Sequence, residues 1–306
     1  MVSGYQRSHR ENGPGVYRIP SRVAEGRSEV SFFRSANMKD EHAQFSGSIP
    51  AAYDRYLGSM LFQPYAEDLA ARLQVAKNGS VLELACGTGI LTRALRTRLP
   101  STVKLTATDL NEPMFRHAAA KFRKDEAVQW LQADACSLPF GDRLFDAVVC
   151  QFGIMFVPDK ALAVREAHRV LKPGGLFLFN VWDAMEHNEL GQLTHRTIAS
   201  HFDKDPPAFY EVPFGYHDQD EIKRALKEAG FQEIKTEVVA KVGVASQAED
   251  AATGLVQGNP VAVEIAERDP SLLPVITKAV AQAITDRFGE TDIRAPMRAI
   301  VVRART

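Results

Sequence analysis

The sequence predicts an α/β protein with a doubly wound, mostly parallel sheet of seven strands. Short apolar, β-like runs alternate with helical patterns between residues 60 and 182, and such alternation is typical of right-handed βαβ units. A glycine turn, ACGTG at residues 85–89, follows the first of these runs. Two further strand patterns occur near the carboxyl terminus, separated by a helical stretch of roughly 45 residues. This stretch predicts a helical lid inserted before the last strand.

The predicted strands are short and mainly apolar. They cover residues 81–85, 103–109, 127–134, 145–152, 176–182, 232–242 and 296–304. Leu91, Leu95 and Leu99 recur at the helical spacing i, i+4, i+8 after the first strand. Another helical pattern ends before KPGG at 172–175, and residues 221–231 indicate a helix that Gly230 ends.

Two segments lie outside this alternation. Residues 183–218 are polar, aromatic and rich in histidine, which favours a segment over the carboxyl ends of the strands. Residues 246–289 are predicted to be helical, with breaks at 258–260, Pro270 and Pro274. An insertion of this length in a compact fold usually has a function.

The first residues differ in composition from the rest of the chain. Residues 1–37 are rich in Arg, Ser and Gly and show no periodicity, so we expect a disordered leader over about 1–40 and one domain over 41–306. An alternative start at Met38 would explain this tail equally well. A transit peptide is disfavoured because three glutamates interrupt the basic sequence.

Composition restricts the class of protein. The chain has 37 basic and 38 acidic side chains, so no global field would attract nucleic acid or an anionic membrane. Three cysteines without CxxC spacing argue against a disulfide framework and a zinc site. No apolar run reaches the roughly 18 residues of a membrane span. We therefore expect a cytoplasmic protein with no metal centre.

The stretch VLELACGTG at 81–89 raises the question of which ligand the glycine turn binds. In an open α/β sheet, ligands bind beyond the carboxyl ends of the strands, where strand order reverses. A dinucleotide motif would need a third glycine where Thr92 stands. The carboxylate of Glu83 would repel a pyrophosphate and attract an ammonium or sulfonium group.

Five successive sequence motifs match those of one family in order and spacing. They are ELACGTG, TATDLNEPM, LQADACSLPF, FDAVVCQFGIMFVPD and RVLKPGGLFLF. On these motifs the chain resembles the class I S-adenosylmethionine-dependent methyltransferases, and within them the ubiquinone and menaquinone methyltransferase-like branch, type 11. The resemblance covers about residues 45–182 and, more loosely, GLVQGNP at 254–260. It implies a Rossmann-like methyltransferase fold, S-adenosyl-L-methionine as cofactor and S-adenosyl-L-homocysteine as product.

The same resemblance implies a role for each residue of the cofactor site. Glu83 would orient the methionine ammonium, and Asp109 would accept the ribose hydroxyls. Cys86 is expected to be a small filler, because no base lies near it in the sequence. The remaining implied contacts are the backbone at Ala85, Gly87 and Gly89, the adenine neighbours Leu110, Met114, Asp134 and Ala135, and Gln151 with Phe152 near the methionine end.

The catalytic group is harder to predict. Methyl transfer from a sulfonium is an in-line displacement, so positioning and exclusion of water supply much of the acceleration. A base is needed only if the acceptor must lose a proton. His195 and Tyr210 are the leading candidates, and a reaction without a general base stays open. Further acceptor-side candidates are Tyr53, Asp54, Tyr56, His187, His201 and His217. The histidines lack the spacing of a metal site.

The resulting hypothesis is methyl transfer to a small aromatic, polyketide-like or quinone-like acceptor, bound by segments near 45–62, 183–218 and 246–290. Two alternatives are a non-catalytic S-adenosylmethionine-binding regulator or partner subunit, and an NAD(P)-dependent oxidoreductase. A nucleic-acid substrate is disfavoured, because QFGI at 151–154 stands where amino methyltransferases of nucleic acids carry a D/N-P-P-Y/F turn. The acceptor atom (O, N, C or S) and the oligomeric state stay open, with a homodimer as one option.

Overall fold

A computed structural model of the chain describes residues 49–306. The predicted leader and the first residues of the 45–62 segment lie outside the described residues. The centre of the fold is one seven-stranded sheet in the order β3-β2-β1-β4-β5-β7-β6. Its strands are β1 Ser80–Leu84, β2 Lys104–Asp109, β3 Val128–Gln132, β4 Phe145–Gln151, β5 Leu171–Trp182, β6 Gln232–Gln247 and β7 Thr291–Arg305.

The sheet is mostly parallel, as the sequence predicts. Strands β1 to β5 pair in parallel, whereas β7 runs antiparallel to both β5 and β6. The chain leaves β1 for β2 on one side and later returns to β4 on the other. The carboxyl ends of β1 and β4 therefore form the switch point, where a doubly wound fold places its ligand.

Helices cover both faces of this sheet. They are α1 Ile49–Ala52, α2 Gln63–Arg72, α3 Ile90–Arg98, α4 Glu112–Ala119, α5 Lys160–Val170, α6 Glu189–Ala199, α7 Glu211–Phe214, α8 Gln219–Glu228, α9 Ala248–Gln257, α10 Val261–Arg268 and α11 Leu272–Phe288. Between α1 and α2 the chain forms a π-helix over Tyr53–Phe62. We call residues 49–62, which comprise α1 and this π-helix, the strap.

The strands β6 and β7 extend beyond the rest of the sheet. β7 pairs with β5 only over 299–305, but it pairs with β6 from Thr291 onwards. The first half of β7 and the second half of β6 therefore form a two-stranded ribbon past the carboxyl end of β5. One face of β6 contacts the strap and α9, so the ribbon closes one side of the space above the switch point.

The predicted insertion is helical and belongs to the main core. The break at 258–260 is confirmed, since α9 ends at Gln257 and α10 begins at Val261. The predicted break at Pro274 is wrong. Pro274 lies in the first turn of α11, where its missing N–H removes no intrahelical hydrogen bond. Val256, Ile265 and Val280 are fully buried in the central cluster, so the insertion is built into the fold.

Candidate active site

The glycine turn joins β1 to α3 through a left-handed backbone. Gly87 and Gly89 have φ values of 54° and 81°, which glycine adopts without steric cost. The Gly87 amide donates to Oδ2 of Asp109 at 2.8 Å. A Cβ on Gly89 would lie 2.9 Å from the Cβ of Ala118 in α4. Gly87 therefore helps to place Asp109, and Gly89 lets α3 pack closely against α4.

Asp109 is a buried carboxylate at the end of β2. Its side chain is 6% exposed, and its Oδ1 accepts the backbone N–H of Asn111 at 2.8 Å. Burial raises the pKa of Asp109, against the opposing effect of the N–H groups of Asn111 and Gly87. Each oxygen accepts a backbone hydrogen bond, and a carboxylate oxygen can accept more than one, which suits a pair of ribose hydroxyls.

A cleft beyond the switch point gathers most of the predicted cofactor residues. Among the residues that line it are Ala85, Asp109, Leu110, Met114, Asp134, Ala135, Gln151 and Phe152. The structure adds Asn111, Val157 and Pro158, which the sequence reasoning missed. All three lie within the sequence motifs quoted above, so their position next to the predicted cofactor residues could have identified them. Asp134 is exposed and accepts the amide N–H of Cys136. Gly87 and Gly89, which were predicted to line the cofactor site, are not among the residues that line this cleft.

Glu83 lies in a smaller cavity next to this cleft. Its side chain is 1% exposed, and its Oε2 has no hydrogen-bond partner among the described residues. Gln151 lines the same cavity, and its buried Oε1 also lacks a partner there. Burial raises the pKa of Glu83 to about 8, and the nearby Asp109 adds to the increase, against the opposing effect of hydrogen bonds from Thr92. Two buried acceptors without donors fit a cationic ammonium ligand.

Comparisons with known proteins agree with this chemistry. A family model described as a methyltransferase domain matches residues 82–179. Demethylmenaquinone methyltransferases from Staphylococcus aureus, strains JH9 and Newman, are 28% identical over 214 residues, which cover 65% of this chain and 88% of theirs. The chain is an S-adenosylmethionine-dependent methyltransferase. The predicted cofactor is confirmed with it.

Solved structures show the same fold as this methyltransferase. The YcgJ protein of Bacillus subtilis aligns with a TM-score of 0.54 at 18% identity, over 79% of this chain and 98% of that one. Phosphoethanolamine N-methyltransferase 2 of Haemonchus contortus, in complex with S-adenosyl-L-methionine, aligns with a TM-score of 0.56 at 16% identity, over 89% of this chain and 60% of that one. The predicted Rossmann-like fold is therefore confirmed.

The methyltransferase has a third cavity, which we call the chamber. The chamber is built from the strap, the turn after β4, the end of β5, the helices α6, α7 and α9, and the ribbon. Its lining is mainly aromatic and aliphatic, and includes Leu61, Phe62, Met155, Phe156, Trp182, Leu190, Phe209, Phe214, Leu255 and Met297. Asn188 and Asn259 are its polar side chains besides two tyrosines, Tyr53 and Tyr210. Sequence reasoning missed most of these residues, since aromatic residues in strands and helices look like ordinary core.

The two candidate catalytic residues occupy different positions. Tyr210 lines the chamber, but its hydroxyl donates to the Leu255 carbonyl at 2.6 Å. Burial raises the pKa of Tyr210 well above its usual value, which disfavours the tyrosinate that would act as a base. His195 does not line the chamber. Its ring centroid lies 6.4 Å from that of Tyr210, in a second layer of side chains. The catalytic role of each residue stays a prediction.

The other acceptor-side candidates mostly lie away from the chamber. His201 Nδ1 lies 2.9 Å from the Thr197 carbonyl oxygen, and His217 Nδ1 lies 2.7 Å from that of Phe214. Tyr56 packs beside the guanidinium of Arg55. None of these three lines the chamber or the cofactor cavities, whereas Tyr53 lines all of them.

Within residues 49–306, no three potential metal ligands come together in one group. No helix in the same range is long and apolar enough to cross a membrane.

Proposed function

We propose that this methyltransferase transfers the methyl group of S-adenosyl-L-methionine to a small aromatic or quinone-like acceptor bound in the chamber. The observation that carries the proposal is the chamber itself, an aromatic cavity that shares Phe152 and Phe156 with the cofactor cleft. An acceptor in the chamber would face the cofactor across these shared rings.

The cofactor would be held by polar groups at the ends of three strands. Glu83 in β1 and Gln151 in β4 would bind the methionine part, and Asp109 in β2 would bind the ribose. Met114 is 4% exposed and Leu110 is 54% exposed, so they would cover the adenine on an inner and an outer side. When bound, the cofactor supplies an electrophilic methyl group on a sulfonium.

The chamber favours an apolar acceptor for two reasons. Its polar side chains are already engaged, since Asn259 Nδ2 donates to the Leu255 carbonyl and Asn188 Nδ2 to that of Asp183. Its walls also present stacked rings, such as Phe152 and Trp182, whose centroids are 4.0 Å apart. A polar acceptor would lose hydration there with few new partners, whereas a flat aromatic ring would gain packing. The curated relatives are named for demethylmenaquinone, a quinone, which supports the same class.

Calorimetry tests the cofactor half of the proposal. The full chain is expected to bind S-adenosylhomocysteine and to give no signal with NAD, because Thr92 stands where a dinucleotide-binding turn needs its third glycine. Binding of NAD without binding of S-adenosylhomocysteine would favour an oxidoreductase instead.

An activity assay tests the proposed class of acceptor. With methyl-labelled cofactor, we expect transfer to apolar phenols or quinols and none to charged aliphatic amines. Leu61→Trp, which fills the chamber from a partly buried position on the strap, should abolish transfer and keep the affinity for S-adenosylhomocysteine. Transfer to the amines would refute the acceptor class. Cofactor binding with no transfer to any acceptor would favour the regulator or partner subunit.

A further inference from the structure

Three cavities meet at one side chain of the strap. They are the small cavity of Glu83 and Gln151, here called the methionine cavity, the cleft that contains Asp109, and the chamber. Tyr53 lines all three. Phe152 and Phe156 line the cleft and the chamber, and Phe62 lines the methionine cavity and the chamber. We call Tyr53, Phe62, Phe152 and Phe156 the aromatic collar.

We propose that the aromatic collar, with Tyr53 at its centre, binds the sulfonium centre of the cofactor through cation–π contacts. The methionine part of the cofactor belongs beside Glu83 and its ribose beside Asp109, and the sulfonium joins these two parts. The transferable methyl group must also face the chamber. The place that satisfies all three conditions is the junction of the cavities, where the collar lies. This proposal rests on the identity of the cofactor and not on the class of acceptor.

The surroundings of Tyr53 favour a positive charge. Burial raises the pKa of its hydroxyl, and the negative charges of Asp109 and Asp54 add to the increase. The same two carboxylates stabilise a cation placed near the ring. A sulfonium has no N–H or O–H to donate, so it cannot make the hydrogen bonds that an ammonium makes to Glu83. Aromatic faces, which carry partial negative charge, are therefore a suitable environment for it.

The structure holds the ring of Tyr53 in a fixed position. It stacks on Phe62 with centroids 4.7 Å apart and planes 12° from parallel, and Phe62 meets Phe152 edge-on at 5.8 Å. The next residue along the strap, Asp54, binds the ammonium group of Lys121 beyond α4 at 2.7 Å. Because the ring is held before the ligand arrives, little side-chain entropy remains to be lost on binding.

Calorimetry with two ligands that differ by the sulfonium charge tests the collar. S-adenosylhomocysteine has the same ribose, adenine and amino acid groups, but its sulfur is neutral. Tyr53→Leu should weaken binding of S-adenosylmethionine by about tenfold or more, the range of a desolvated cation–π contact, and change binding of S-adenosylhomocysteine by less than about threefold. Tyr53→Phe, which keeps the ring, should leave both affinities near those of the unmodified protein.

Asp109→Ala is the matched control, because both ligands carry the ribose. It should weaken both to a similar degree. An equal loss of both ligands in Tyr53→Leu, or no loss of either, would overturn the proposal. If Tyr53→Leu does not fold, Phe156→Leu carries the same expectation at a second ring of the collar. Retained binding of S-adenosylhomocysteine shows that a variant is folded, and no acceptor is needed for any of these measurements.

Discussion

Glu83 and Asp109 are buried acids at the ends of two neighbouring strands. In the proposed site, Glu83 binds the methionine part of the cofactor and Asp109 binds its ribose. The charge of Glu83 was sufficient, on sequence alone, to disfavour a phosphate ligand. Sequence did not reveal that Oε2 of Glu83 has no donor within residues 49–306, because that depends on which groups the fold brings around it. Burial destabilises the ionised form of an acid, and hydrogen bonds from Thr92 offset this only in part.

Glu83→Gln is therefore expected to stabilise the protein in the absence of cofactor, and more so at high pH. The pKa of Glu83 is about 8 in the folded state, and an ordinary, lower value applies after unfolding. Between these two values the folded state holds a proton that the unfolded state has released, so stability falls as pH rises. The glutamine side chain of the variant does not titrate, so the variant does not lose stability in this way as pH rises. Its melting temperature should exceed that of the unmodified protein by a larger margin at pH 8 than at pH 5.

The exposed acid Glu228 provides a control for this measurement. Glu228→Gln should shift the melting temperature by a similar small amount at both pH values. In calorimetry at pH 8, Glu83→Gln should also bind S-adenosylhomocysteine more weakly, since it lacks the charge that pairs with the ammonium. A margin that shrinks from pH 5 to pH 8 would contradict the proposed state of Glu83.

Among the secondary-structure elements, the strap shows that a sequence pattern can predict where a segment lies without predicting its type of helix. The sequence predicted an acceptor-side segment near 45–62, and its described part is helical. The sequence did not predict that Tyr53–Phe62 is a π-helix. Helix periodicity cannot separate i+4 from i+5 hydrogen bonding in ten residues, and π-helical turns are frequent at functional sites.

Asp54→Ala is expected to weaken cofactor binding, because it releases the strap from its anchor beyond α4. Asp54 lies 2.7 Å from the Lys121 ammonium and 3.3 Å from Nε2 of His117. Partly exposed ion pairs contribute roughly 0.2 to 1 kcal/mol, so we expect about a two- to fivefold increase in the calorimetric Kd for S-adenosylhomocysteine.

Asp125→Ala is the matched control for the strap anchor. It removes an ion pair with Arg123 in which both side chains are 75% exposed, and it does not touch the strap. An unchanged Kd in Asp54→Ala, or an equal change in Asp125→Ala, would show that the anchor does not support cofactor binding.

At the scale of the whole molecule, cofactor binding should stabilise the fold as a unit. The proposed ligand-binding residues come from β1, β2, β4 and the strap, and the three cavities adjoin the main core. A ligand present at 100 times its Kd stabilises the native state by about 2.7 kcal/mol. For a chain of this size, that corresponds to an increase in melting temperature of roughly 4 to 5 °C.

Thermal melting with S-adenosylhomocysteine and with NAD would measure this effect. We expect one cooperative transition that shifts upwards with S-adenosylhomocysteine and stays in place with NAD. Two transitions, of which one alone responds, would contradict the prediction of a single domain over 41–306. The cytoplasmic location, the absence of a nucleic-acid partner and the homodimer stay predictions.

The seven-stranded sheet, its ligand-binding edge and the type of cofactor could be predicted from the sequence. Alternating apolar runs, a glycine turn and a carboxylate at a strand end are local patterns, each contained within a few residues. The chamber could not be predicted, because it depends on tertiary packing. Tyr53, Phe152, Trp182, Tyr210 and Leu255 are far apart in the chain, and each by itself looks like ordinary core. They form a chamber only because packing brings the strap, α7, α9 and two strand ends together above the switch point. Packing also separates Tyr210, which lines the chamber, from His201 and His217, which do not.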